Sequence, residues 1–124
     1  MSTLNVSNIT DGTTTVGTSY VVNGSAKAWV NFNGTGTVSI RDSLNIGSLT
    51  DNGTGDYNVN FSANMANSNY CAVLGHRGNR PGDGDNGLSN YAASTYEVGS
   101  RSGNQDSSKE DSDRMHSSIF GDLA

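Results

Sequence analysis

An all-β fold, a small antiparallel β sandwich or meander, is what this sequence predicts, and three observations predict it. Short apolar runs alternate with polar residues at the period of two that a half-buried strand requires. Glycine, asparagine and aspartate clusters punctuate those runs at short intervals, as hairpin and sandwich turns do. No apolar stripe of 3.6 period survives among the 16 glycines and many asparagines, so no helix is expected anywhere.

The elements follow in order. Residues 1–25 read as an extended N-terminal arm or attachment segment. In it Leu4, Val6 and Ile9 begin a strand, Asp11-Gly12 turns the chain, and Ser19-Tyr20-Val21-Val22 form another short strand stopped by Asn23-Gly24. The arm is too poor in apolar residues to fold alone and is expected to lie against a neighbouring chain. Residues 26–124 read as the β domain. Ala28, Val30 and Phe32 share one strand face and leave Trp29 on the other, where it needs a second layer or a partner chain. Asn33-Gly34-Thr35-Gly36 turns the chain, Val38-Ser39-Ile40 returns it, and Leu44, Ile46 and Leu49 lead to the turn Asp51-Asn52-Gly53-Thr54-Gly55-Asp56. A period-two strand puts Tyr57, Val59 and Phe61 together. Beyond a polar break, Tyr70-Cys71-Ala72-Val73-Leu74 is a strand in which the single cysteine, Cys71, is expected as a buried free thiol. Residues 75–90 form a long glycine-rich loop, the class of segment that is usually functional. Tyr91 to Val98 is a further strand and Ser100 to Asp113 an acidic loop. Met115 to Phe120 closes the domain with Met115, Ser117 and Ile119 on one face.

Composition bounds the function. At 124 residues there is room for one domain with a modest core. Hydrophobic residues are 32%, below the roughly 45–50% (glycine included) of ordinary domains, and charged residues only 15%. Disordered chains pair low hydrophobicity with high charge, which this one lacks. A thin core of this kind is expected to be supplemented by burial between copies, in a homo-oligomer. The net charge of −5, with seven scattered Lys and Arg, argues against nucleic acid, which needs a basic face. No apolar stretch approaches a membrane span, and the opening residues lack the basic start and apolar core of a signal peptide.

The residues that carry chemistry elsewhere are weak here. Asp83-Gly84-Asp85-Asn86-Gly87 has the oxygen donors of a calcium loop without its further ligands, and reads as a solvated turn. His76 and His116 have no second ligand at a supportive spacing. No Gly-x-Ser-x-Gly elbow frames a nucleophile, and Asp42, Asp51 and Asp56 sit at strands and turns where aspartate caps backbone groups. Lys27, Arg41 and Asp42 read as structural. The expectation is no enzyme, no cofactor and no metal.

The strings Ala26-Lys27-Ala28-Trp29-Val30-Asn31-Phe32-Asn33-Gly34-Thr35-Gly36-Thr37-Val38-Ser39-Ile40-Arg41-Asp42-Ser43 and Ser48 to Phe61, followed by Met65-Ala66-Asn67-Ser68-Asn69-Tyr70, resemble a domain at the ends of tail-fibre-like proteins of marine bacteriophages, including those of cyanobacteria. The opening Met1 to Ile9 and the closing Ile119-Phe120-Gly121-Asp122 resemble the start and end of such proteins; residues 75–114 match no part of that pattern. The resemblance implies an all-β virion protein, a trimer, exposed on the particle and facing the host surface. Its partners would be other phage tail or capsid proteins and a host glycan or protein. Trp29, Phe32, Arg41 and Tyr57 are then the candidates for the oligomer interface. His76, Arg77, Arg80, Asp83 and Asp85 are those for receptor or partner contact, arginine being suited to bidentate contacts with carboxylates and phosphates. A capsid decoration protein, clamping neighbouring shell subunits through residues 1–25 and its sheet faces, is the alternative. Fully extended, that arm reaches at most about 85 Å.

Overall fold

The computed structural model describes residues 1–76, 87–101 and 108–124. The period-two alternation of the sequence becomes a β sandwich of two four-stranded sheets, antiparallel throughout. Ahead of it lie β1 (Asn8–Thr10), β2 (Thr15–Gly17) and a helix, α1 (Thr18–Gly24). The sandwich strands are β3 (Ala28–Asn33), β4 (Ser39–Leu44), β5 (Ile46–Gly53), β6 (Asp56–Phe61), β7 (Cys71–His76), β8 (Leu88–Ser89), β9 (Thr95–Gly99) and β10 (Met115–Phe120). The first sheet has the order β4-β3-β10-β7 and the second β5-β6-β9-β8. Its first and last strands, β3 and β10, are paired at the centre of the first sheet, which closes the domain on itself.

The core is the layer between the sheets. Ala28, Val30 and Phe32 of β3 and Met115 and Ile119 of β10 face Tyr57, Val59 and Phe61 of β6 and Tyr96 and Val98 of β9. Phe32 meets Tyr57 edge to face at 5.3 Å, and Phe61, Tyr70, Tyr91 and Tyr96 form a second aromatic group. Ser117, the one polar residue on the buried face of β10, is satisfied by the Tyr96 hydroxyl at 2.6 Å.

The chain passes from the first sheet to the second at Asn45, which stands between β4 and β5 with φ 57°. Asparagine tolerates that left-handed conformation better than most residues. Its side chain clamps the neighbouring segment, donating from Nδ2 to Ala63 O (3.0 Å) and accepting at Oδ1 from Ala63 N (2.7 Å). In the turn between β5 and β6, Gly53 and Gly55 take φ 121° and 62°.

Four expectations are corrected. Residues 18–24 are helical, although a strand was expected over Ser19 to Val22 and no helix anywhere. With no sheet edge paired to it, this segment satisfies its backbone within the helix and at its ends, where Thr18 N–H donates to Ser7 O and Ser25 N–H to Val21 O. Cys71 is exposed, because Ala72 and Leu74 are the β7 residues that pack on the core. The strand expected from Tyr91 begins at Thr95; the preceding residues form a bend that accepts Met65 N–H at Ala93 O and the Tyr70 hydroxyl at Ala92 O. Both ends of the expected loop 75–90 are in strands, since β7 runs to His76 and β8 occupies Leu88–Ser89, and residues 77–86 lie outside the described residues.

Candidate functional site

The two outer faces of the sandwich differ in chemistry, and that difference locates the candidate site. On the second sheet, Thr50, Asn58, Glu97 and Ser89 form one cross-strand row and Ser48, Asn60 and Thr95 the next. These polar side chains bond to one another. Asn60 Nδ2 reaches Ser48 Oγ (3.1 Å) and Thr50 Oγ1 (3.2 Å), Asn52 Nδ2 reaches Asn58 Oδ1 (3.1 Å), and Asn90 donates to Glu97. A face of this kind is at home in water.

On the first sheet the corresponding row is Leu44, Trp29, Ser118 and Val73, with Phe120 opposite Cys71 beside it. Leu44 is 48% exposed and Val73 57%, while Trp29 and Phe120 are half-buried. The next row, Asp42, Asn31, His116 and Gly75, is polar. The His116 imidazole lies over Gly75, where a Cβ would come within 2.2 Å of Nε2, so a side chain there displaces the ring. Asn31 Oδ1 is buried with no hydrogen-bond partner. The apolar row, exposed at Leu44 and Val73, is the part of this face that a second molecule could cover.

Fully burying one such apolar side chain stabilises by about 1.5–3 kcal/mol. With four of them already partly covered, the row offers on the order of 3–6 kcal/mol, against the roughly 4–15 kcal/mol that association costs. The row cannot carry a stable interface by itself. Further apolar surface is present in residues 1–25. Leu4 is 80% exposed and Tyr20 76%, and the cross-strand pair Ile9 and Val16 is uncovered. β1 and β2 pair with each other and α1 packs on β2, and no sandwich strand packs appreciably on any of the three. A lone hairpin and a seven-residue helix are each marginal in water.

The structure sorts the interface candidates. Trp29 stands in the centre of the outer row. Phe32 and Tyr57 are 0% exposed and present nothing to a second chain, which corrects their assignment to an interface. Both lie on inward strand faces, and their ring contact belongs to the core. Arg41 sits at the irregularity where β4 slips register against β3 and donates to Phe32 O at 3.2 Å, so it blunts an edge strand of its own chain. Of the receptor-contact candidates, His76 ends β7, while Arg77, Arg80, Asp83 and Asp85 lie outside the described residues. The composition gave no signal for Leu44, Val73 and Phe120, which only the strand register brings beside Trp29.

Asp56, bonded to Lys109, is held below the usual carboxylate range chiefly by that hydrogen bond. Burial pushes the Tyr70 and Tyr96 hydroxyls up to about 12, and Tyr57 higher still with the help of its bond to Asp111. These groups tie the sandwich together, and none lies in the apolar row. Among the described residues no group of three His, Cys, Asp or Glu side chains is placed to hold a metal ion, and no helix is long and apolar enough to cross a membrane. No family model, curated protein or solved structure matches this chain.

Proposed function

We propose that this chain is a structural, non-enzymatic β module that assembles with copies of itself as a subunit of a virion surface appendage, a tail fibre or short fibre. The observation that carries the self-assembly is the apolar row of Leu44, Trp29, Val73 and Phe120 on one outer face, opposite a polar, internally bonded face. A sandwich that only had to remain soluble has no use for a tryptophan there. The sequence resemblance supports the virion setting, with a trimer as the expected order and a host surface molecule as the expected contact. Counting copies of the chain in purified particles by quantitative mass spectrometry tests it. A low copy number fits a fibre and hundreds of copies a capsid decoration protein; absence from particles contradicts the virion reading.

A further inference from the structure

We infer that residues 1–25 of one copy cover the apolar row of a second copy, an arm exchange in which Leu4, Ile9, Val16 and Tyr20 pack on Trp29, Leu44, Val73 and Phe120 of the neighbour. The inference rests on the self-assembly proposed above and names the surfaces that do it.

Four observations converge on it. The arm has secondary structure but no core: α1 buries none of its residues, and β1 and β2 expose the Ile9–Val16 pair. Eight of its large apolar side chains are exposed, Leu4, Ile9, Val16 and Tyr20 among them, and they supply apolar surface that the row by itself lacks for a stable interface. The root of the arm is fastened. Lys27 N–H donates to Ile119 O at 2.8 Å, while its ammonium bonds Val22 O and, at 2.8 Å, Ser25 O, which ties the end of α1 to the sandwich. From that root the helix and hairpin stand clear of their own first sheet, which therefore stays open to the arm of another copy. Finally, residues 1–25 carry one charged side chain, Asp11, in a protein of net charge −5. The arm can reach a neighbour with little of the like-charge repulsion that two acidic sandwiches meet face to face.

The chain carries its own probes, because Cys71 is its only cysteine, Trp29 its only tryptophan, and both lie on the first sheet's outer face. Cysteines are introduced singly in the full chain as Ile9→Cys, Val16→Cys and Tyr20→Cys. Each variant is treated with a short bis-maleimide, resolved under denaturing conditions, and mapped by mass spectrometry. The expected result is covalent species of two or more chains joined between an arm position and Cys71, lost when Cys71→Ser is added. Links confined to one chain, links between arms that persist with Cys71→Ser, or no link in a sample that sediments as an oligomer each overturn the arm exchange and leave self-assembly standing. A monomeric mass for the unmodified chain removes the self-assembly reading itself. As a second readout, Tyr20→Asp is expected to red-shift Trp29 emission and raise its quenching by acrylamide. Unchanged emission from an intact oligomer contradicts the inference.

Discussion

Removing the hydroxyl of Tyr57 tests how one end of the sandwich is held. Tyr57 Oη lies 2.8 Å from Gly34 O, in the β3–β4 turn, and 2.8 Å from Asp111 Oδ1, which also accepts Gly55 N–H at 2.7 Å. Gly34 N–H in turn donates to Ser112 O, and a Cβ on Gly34 would meet the Tyr57 hydroxyl at 2.6 Å. Tyr57→Phe keeps the ring contact with Phe32 and deletes only the polar tip. A hydrogen bond to a charged group contributes about 1.5–3 kcal/mol, and the exposed Asp111 recovers part of that from water, so a loss of about 1.5–2.5 kcal/mol is expected. For a chain of this size that lowers Tm by roughly 5–10 °C. The control is Tyr96→Phe combined with Ser117→Ala, which removes a neutral bond together with both of its partners and should cost about 0.5–1.5 kcal/mol. Urea unfolding followed by circular dichroism, at one fixed protomer concentration because assembly couples to stability, measures both. If Tyr57→Phe costs less than that control at unchanged m-value, the hydroxyl does not anchor this end and the reasoning fails.

Three further outcomes are expected. Asn45→Ala should cost about 2–3 kcal/mol, since alanine bears the left-handed strain and the two bonds to Ala63 are lost; a loss below half a kcal/mol in urea unfolding contradicts the corner's role. Tyr57, Tyr70 and Tyr96 titrate above the ordinary tyrosine range when folded, so the unfolded chain releases these protons first and stability falls as pH rises past about 10; a stability flat from pH 9 to 11.5 in alkaline denaturation contradicts it. Asp56 has its folded pKa depressed, so its contribution is present above about pH 4 and lost as pH falls below that. Lys109 is exposed while Asp56 is half-buried, and Lys109→Ala should cost about 1 kcal/mol and flatten the acid limb; an unaltered acid limb contradicts it.

Much of the sandwich was legible because its strands obey their own period. β3, β6 and β10 alternate cleanly, and each buries the face that alternation predicts. Where alternation is absent the reading failed: Tyr70 to Leu74 is apolar on both faces, and only pairing with β10 shows that Ala72 and Leu74 turn inward and Cys71 outward. α1 escaped notice because a helix that buries nothing has no stripe to display. Phe32 and Tyr57 fail as interface candidates because strand-face parity decides: Phe32 shares its buried face with Ala28 and Val30, and Tyr57 shares one with Val59 and Phe61. The partners of the Tyr57 hydroxyl lie 23 and 54 residues away, beyond any local signal. Trp29 was visible as the residue on the wrong face of a strand, but its row mates come from three separate segments that register alone aligns.

Self-assembly through the first sheet's outer face is most directly tested by sedimentation equilibrium of the full chain at micromolar concentration, alone and as Val73→Asp. Val73 is exposed and makes no core contact, so the substitution leaves the fold intact while placing a charge in the apolar row. The prediction is a mass that is a multiple of 12.9 kDa for the unmodified chain, three copies being expected, and a shift toward 12.9 kDa for Val73→Asp. A concentration-independent mass of 12.9 kDa for the unmodified chain, or an oligomer that Val73→Asp leaves unchanged, contradicts the account.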